Sequence, residues 1–264
     1  GDGLTGGGTI AANRTIAVGA GTGIDVAANE ISVDVSDFMT NGSNNRVLTA
    51  TGADAMNAEA NLTFDGSVME CNATLRVSQY ISHIGDTDTR INFTTNNISL
   101  DTANNTAINI DSSGHVTKPL QPCFRVTKSA AQENIALSTN VAITFDGESF
   151  DIGSNFASNT FTVPVAGIYM FGAFVGFSFL RETASSITIR VAQTPSGGGS
   201  TTYYRLDEKD PNEYDTDQEN FGMTGCTLFS CAANDTIQLT VFQSGGTATS
   251  DIDSSTRFWG TLIN

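Results

Sequence analysis

Apolar and polar residues alternate in short runs along most of this chain. Leu75 and Val77, and later Ile91 and Phe93, are each separated by one polar residue, which is the period of a strand with one buried face. Gly, Asn and Asp interrupt the runs about every 10 to 12 residues, as turn residues between strands do. An alanine-rich stretch at 54–59 departs from this pattern, and we predict a short helix there. The pattern as a whole predicts an all-β fold.

Residues 1–38 contain a degenerate repeat. GDGLTGGGTIAANRTIAV is followed by GTGIDVAANEISVDV, and each unit has a G-x-G opening, an A-A-N turn and a short β run that ends in Val. Runs of this length cannot bury a core alone, so the units must stack on one another or on other chains. We interpret 1–38 as the glycine-rich β repeats of a fibre shaft.

Residues 39–121 continue with short β runs and few large apolar side chains. LTFDGS predicts two strands joined by a type I′ turn at Asp65-Gly66. A monomeric core of about 50 residues with so little apolar area would be marginal. We therefore predict an intertwined β connector whose core is shared by several chains. Pro119 and Pro122 mark its end.

Residues 122–264 hold most of the phenylalanines and the only tryptophan, Trp259, which indicates a larger core. Their longest uncharged stretch includes FTVPVAGIYMFGAFVGFSFL at 161–180, which is long enough to span a bilayer as a helix. However, Pro164 and Gly167 predict a turn between a short strand and a longer one. We therefore predict two strands and no membrane insertion.

The longer strand is apolar on both faces. We predict that one face fills the core with Tyr169, Phe171, Val175, Phe177 and Phe179. The other face carries Ile168, Met170, Phe174 and Leu180. A lone antiparallel sandwich has a polar outer face, so we predict that this second set contacts neighbouring chains in a trimer.

The charge balance and the chemistry-bearing residues argue against several functions. The 264 residues carry a net charge of −16, which disfavours binding to nucleic acid because phosphate contacts need basic patches. The four cysteines form no C-x-x-C pair, so we predict reduced, mostly buried thiols rather than disulfides or a zinc site. His83 and His115 lie in β runs without a nucleophile motif. We expect no enzymatic activity and no cofactor.

The stretch YYRLDEKDPNEYDTDQEN at 203–220 is the most unusual in composition. One interpretation is a solvated, flexible loop, with its tyrosines packed on the sandwich. Another is a receptor-binding loop in which tyrosine rings act as platforms for sugars; its candidate residues are Tyr203, Tyr204, Asp207, Glu208, Glu213, Tyr214, Asp215 and Asp217. A third is a calcium site, because Ca²⁺ takes carboxylate oxygens; its candidate ligands are Asp207, Asp210, Asp215 and Asp217.

The motif spacing over 122–264 resembles that of complement-C1q-type globular domains. The matching positions are Phe124 and Val126; Ile143, Phe145 and Asp146; Asp151, Gly153 and Phe156; Phe161, Pro164, Gly167, Tyr169 and Phe171; and Phe258, Gly260 and Leu262. Trp259 and a long insertion at 195–220 depart from the family pattern. The resemblance implies a ten-stranded jelly roll that assembles as a homotrimer and has no catalytic residues.

The N-terminal half resembles the repeated modules of tail fibres from marine bacteriophages, in the segments GDGLTGGGTI, NRTIAVGAGTGIDV and NRVLTATGADAMNAEANLTFDG. Together the two resemblances imply an elongated, homotrimeric tail fibre in the virion, with a C1q-like tip. Its expected partners are a glycan or protein of the host cell surface and other virion tail proteins. Two alternatives stay open: a purely structural fibre whose head drives trimerisation and capping, and a secreted C1q-like adhesin.

Overall fold

The computed structural model describes residues 4–9, 11, 13–52 and 55–264, and in these residues the regular structure is β-strand with two short 3-10 helices. The all-β prediction is confirmed. The chain divides into two compact units, Gly1–Ser78 and Gln79–Asn264. The region boundaries at 38 and 121 stay predictions.

The first unit contains three small sheets. Two are antiparallel pairs, in which β1 (Leu4–Thr5) joins β2 (Ala17–Val18) and β3 (Ile24–Ala27) joins β4 (Glu30–Val33). The third follows a 3-10 helix at Val35–Phe38 and has the order β5-β7-β6, with β8 also on β7. Its strands are β5 (Met39–Thr40), β6 (Arg46–Ala50), β7 (Met56–Phe64) and β8 (Met69–Cys71).

Two predictions in this unit are wrong. The helix predicted at 54–59 is strand β7 from Met56 onward, Ala55 is irregular, and Asp54 lies outside the described residues. A run this short is a marginal helix, and here its residues from Met56 onward pair with β5 and β6 instead. The turn after β7 is not type I′, because only Gly66 of Asp65-Gly66 has positive φ (+99°). The Asp65 carboxylate closes the turn instead, accepting the amides of Ser67 and Val68 at 2.8 Å.

The second unit begins with a five-stranded antiparallel meander, β13-β12-β11-β10-β9. Each strand pairs with the next along the chain. The strands are β9 (Tyr80–His83), β10 (Asp86–Thr94), β11 (Asn97–Thr102), β12 (Asn105–Ile110) and β13 (Val116–Thr117).

The rest of this unit is a sandwich of two sheets, with orders β16-β14-β25-β19-β22 and β17-β18-β23-β20-β21. The strands are β14 (Cys123–Thr127), β15 (Asn140–Ala142), β16 (Gly147–Ile152), β17 (Phe156–Ala157), β18 (Thr160–Thr162), β19 (Gly167–Phe179), β20 (Ser186–Thr194), β21 (Thr202–Lys209), β22 (Phe221–Cys231), β23 (Thr236–Ser244), β24 (Asp251–Ile252) and β25 (Arg257–Leu262). Successive strands cross repeatedly between the sheets, as in a jelly roll of two Greek keys. The twelve strands, β14 to β25, exceed the ten that the resemblance implies, and β17 and β24 have only two residues each.

Aromatic side chains dominate the core between the two sheets. Phe124, Phe161 and Phe171 are fully buried, and the ring centroids of the first two lie 4.7 Å apart. Tyr169 is also buried, and its hydroxyl donates to the Val165 carbonyl at 2.8 Å. Burial raises the pKa of that hydroxyl, so it stays protonated and able to donate.

The stretch 161–180 forms two strands, as predicted. β18 ends before Pro164, and β19 begins at Gly167. None of the helical turns in the described part of the chain is long and apolar enough to cross a membrane.

The predicted faces of β19 hold only as far as Phe177. A register shift between Phe177 and Phe179, where β19 pairs with β24, interrupts the alternation. Phe179, predicted in the core, is 37% exposed, while Leu180, predicted as a trimer contact, is fully buried in the core. The prediction for Leu180 is therefore wrong, because a bulge adds a residue and exchanges the two faces beyond it.

Candidate interface and receptor-binding surfaces

The outer side of sheet β16-β14-β25-β19-β22 presents an apolar surface, which we call the apolar face. Ile168, Met170 and Phe174 lie on it, as predicted from the sequence. Cross-strand partners share a face, so Leu228, directly opposite Met170, belongs to it as well. Ile168 is 43% exposed and Leu228 is 57% exposed. Several large apolar side chains therefore face outward from one sheet.

Glycines allow aromatic rings to lie close to this sheet. A side chain at Gly172 would place its Cβ 2.6 Å from the Trp259 ring, and one at Gly222 would place its Cβ 2.9 Å from the Phe174 ring. The Arg257 guanidinium lies 5.2 Å from the centroid of the same Phe174 ring, at cation–π distance. The rings of Trp259 and Phe174 therefore cover the backbone at the two glycines, and a larger residue at either position would collide with a ring.

The outer side of the second sheet has a different character. Arg190 on β20 donates to the Asn140 side chain at 3.1 Å and stacks on Phe242 at 4.6 Å. Arg205 on β21 forms an ion pair with Glu208. Polar outer residues are usual for an antiparallel sandwich in water. The first sheet also carries Arg257 on its outer side, but its neighbouring strands β19 and β22 expose Ile168 and Leu228, which makes the apolar face the candidate interface.

The acidic stretch at 203–220 is not simply a loop. Its first part is strand β21, which pairs along its length with β20, and a 3-10 helix follows at Pro211–Glu213. Asp210 caps this helix, since its carboxylate accepts the Asn212 amide at 3.0 Å. The interpretation as a loop is therefore wrong for 203–209, because backbone pairing with β20 makes these residues part of the sheet.

Two of the three tyrosines in this stretch pack against the jelly roll. The ring of Tyr204 stacks on Phe229 with centroids 3.9 Å apart, and its hydroxyl donates to the Gln193 side chain at 3.0 Å. Tyr214 meets Phe221 edge-on at 5.9 Å. Only Tyr203, which is 42% exposed, presents a ring to solvent. Tyr204 and Tyr214 therefore pack against the jelly roll. Of the three predicted platforms for sugars, only the Tyr203 ring is left facing solvent.

Most of the carboxylates have partners within the chain. Asp217 accepts the Glu182 amide at 3.0 Å and pairs with the Arg181 guanidinium at 2.7 Å, and these bonds lower the pKa of Asp217. Asp207 lies 3.8 Å from the Lys209 ammonium.

The four predicted calcium ligands, Asp207, Asp210, Asp215 and Asp217, are not grouped in the single chain. Asp207 lies on β21, Asp210 caps the following helix and Asp217 is held by Arg181. Among the described residues, no group of three or more His, Cys, Asp or Glu side chains could hold a metal ion. The calcium site stays a prediction.

An open cleft of about 560 Å³ lies beside the second half of β21. Its lining combines basic and acidic groups with hydroxyls: Ser185, Ser186, Arg205, Leu206, Asp207, Glu208, Lys209 and Asp210. Glu213 and Asp215 are exposed in the segment that follows. Of the predicted receptor-binding residues, Asp207 and Glu208 therefore line one cleft, and the remaining exposed candidates are Tyr203, Glu213 and Asp215.

The cysteines are free, but most are not buried. Only Cys231 lies in the core, where burial raises the pKa of its thiol to about 12. Cys71 and Cys226 are exposed, and Cys123 is partly exposed. The prediction of mostly buried thiols is wrong, because three of the four face outward from short or edge strands.

Comparison with known proteins yields matches only among solved structures. No protein-family model matches the chain, and no curated protein matches it. The chain is similar to the globular domain of zebrafish complement 1qA protein, at 16% identity and a TM-score of 0.39, over 55% of this chain and 98% of that domain. It is also similar to murine APRIL, at 11% identity and a TM-score of 0.41, over 54% and 99% of the two chains.

These scores are below 0.5, so the jelly-roll assignment rests on the strand order of the chain itself. A shared jelly roll does not define a function, since one fold supports many.

Proposed function

We propose that this chain is a structural and receptor-binding segment of a phage tail fibre, and that it works as a homotrimer with the jelly roll as its tip. The observation that carries the proposal is the contrast between the two outer sides of the jelly roll. One carries Arg190, which pairs with the Asn140 side chain, and Arg205, which pairs with Glu208, whereas the other exposes Ile168 and Leu228 beside Met170 and Phe174. Soluble proteins rarely leave such a patch uncovered, and a cyclic homotrimer covers it in every chain.

The β21 cleft is the part of the jelly roll best suited to a polar ligand. It contains Arg205, Lys209, Asp207 and Glu208, which offer both donors and acceptors to hydroxyl-rich sugars or to a polar protein surface. Tyr203, on the same strand, adds an exposed ring. A trimer would present three such clefts, and linked weak sites raise the avidity for a cell surface. The resemblance to tail-fibre modules, which covers most of 1–120, supports the assignment to a virion.

A binding experiment with the full chain tests this proposal. Labelled protein is incubated with marine bacteria and with a glycan array, and its oligomeric state is measured by sedimentation. The Tyr203→Ala variant should bind at least tenfold more weakly while remaining trimeric. Tyr80 has the same exposure, 42%, outside the jelly roll, so Tyr80→Ala is the matched control and should bind normally.

The second candidate function is a head that only trimerises and caps the fibre. It is favoured by the inward packing of Tyr204 and Tyr214, which leaves few free aromatic groups in the β21 segment. The same experiment separates the two functions. Trimers of Tyr203→Ala that bind cells as the parent does would place recognition elsewhere in the fibre, and a monomeric parent chain would refute both candidates.

A further inference from the structure

The meander β9–β13 has its apolar side outward. The cross-strand partners place eight apolar residues on one side, which we call the meander face: Ile81, Ile91, Phe93, Ile98, Leu100, Ile108, Ile110 and Val116. None is fully buried and none belongs to the core of the jelly roll. Ile98, Leu100 and Val116 are 39%, 41% and 62% exposed.

The opposite side of the meander is polar, and several of its side chains bond to one another, although the buried Asn92 Oδ1 has no hydrogen-bond partner among the described residues. Asp101 is 5% exposed, and it accepts hydrogen bonds from Arg90 at 3.2 Å and from Thr106 at 3.0 Å. The Arg90 guanidinium also lies 4.3 Å from the Tyr80 ring centroid. The usual arrangement of a one-sided sheet has its apolar residues inside and its polar residues outside. Here the side chains of Arg90 and Tyr80 lie over the polar side, whereas no described residue packs over the apolar side.

We propose that the meander faces of the three chains of a homotrimer pack against one another, as a second contact separate from the apolar face of the jelly roll. This inference rests on the homotrimer proposed above. The side chains that cover each meander face then come from the same sheet in the other two chains.

The size of the meander face identifies its occupant. Full burial of an aliphatic side chain contributes about 1.5–3 kcal/mol at about 25 cal/mol per Å², or roughly 60–120 Å² each. Four side chains about half exposed therefore supply only a few hundred Å² at most, against about 800 Å² per partner in a typical stable complex. The eight apolar side chains themselves carry no charge that would steer a foreign partner to them.

A copy of the same chain needs neither a large contact area nor charge steering to reach this face. Once the jelly rolls associate, the neighbouring meanders are held nearby at an effective concentration on the order of millimolar. A contact too small to recruit a free partner then forms within the assembly. Because all eight side chains are apolar, the face is complementary to itself.

Cross-linking of cysteines introduced into the full chain tests this contact. The background replaces the two exposed native thiols, by Cys71→Ser and Cys226→Ser. Thr102 follows Leu100 on the meander-face side of β11, whereas Thr94, which is also exposed, lies on the polar side of β10. With a short bis-maleimide, Thr102→Cys should give chain-to-chain products in at least half of the protein, and Thr94→Cys should give no more than the background.

Hydrogen exchange supplies a second readout. Leu100→Lys should speed exchange of amides in 79–117 at least tenfold and leave the jelly-roll amides unchanged, whereas Thr94→Lys should leave both unchanged. A trimeric parent in which Thr102→Cys cross-links no more than Thr94→Cys would overturn this inference and leave the homotrimer intact. A parent that sediments as a monomer would overturn the homotrimer, and the meander contact with it.

Discussion

The substitution Leu228→Asp tests the apolar face most directly. Leu228 lies opposite Met170 and is 57% exposed in the single chain. If a neighbouring chain covers that fraction, the burial contributes about 0.9–1.7 kcal/mol per chain, from about 1.5–3 kcal/mol for a fully buried leucine. A trimer holds three such residues, so their total contribution is about 3–5 kcal/mol.

The expected effects on assembly and on folding differ in size. Leu228→Ala should lower the free energy of trimer assembly by about 3 kcal/mol, which raises the equilibrium constant for trimer dissociation roughly a hundredfold. Leu228→Asp also places an unpaired carboxylate in each contact, at about 3–5 kcal/mol per chain, and should abolish the trimer at micromolar concentration. Within one chain the same side chain is mostly in water, so the free energy of unfolding should change by about 0.5 kcal/mol or less.

Sedimentation velocity measures the assembly, and urea unfolding of the monomeric variant measures the fold. Tyr203→Asp is the matched control, because Tyr203 is 42% exposed on the outer side of the second sheet. It should remain trimeric. A Leu228→Asp protein that sediments as a trimer with the parent's dissociation constant would refute the assignment of the apolar face as a chain-to-chain contact.

Three further substitutions test the packing and charge of the jelly roll. Gly260→Ala would place a Cβ 2.6 Å from two core aromatic rings and should cost about 1–3 kcal/mol of unfolding free energy in urea; an unchanged midpoint would contradict this packing. Tyr204→Phe removes the hydroxyl that donates to Gln193 and should cost about 1 kcal/mol, measured against the parent in the same assay. Asp217→Asn should cost about 0.5 kcal/mol at pH 7, since the ion pair with Arg181 is partly exposed. Because the folded pKa of Asp217 is lowered, its contribution is present above the unfolded value of about 3.9 and is lost as the pH falls through the folded value; an equal difference at pH 7 and pH 2 would contradict it.

The local features of this chain could be predicted from its sequence. Alternation of apolar residues identified the strands, and Pro164 with Gly167 located the turn before β19. The outward direction of Ile168, Met170 and Phe174 followed from the same alternation. Each of these depends on residues within one strand or turn, where side-chain direction has a period of two.

Other features depend on residues far apart in the chain. Tyr204 packs on Phe229, and Asp217 pairs with Arg181, so the acidic stretch is ordered by partners that its own composition does not indicate. Leu228 joins the apolar face only because strand register places it beside Met170.

The sequence by itself determined that this is a β protein with turns at its glycines, asparagines and prolines, and that β19 is apolar on both sides. Only the tertiary structure decided which side chains share a surface: the bulge after Phe177 moved Leu180 into the core, and β-pairing made a strand, from Met56 onward, of residues predicted as a helix. The physical reason is that alternation sets the direction of a side chain relative to its own strand, whereas register between distant strands sets its neighbours.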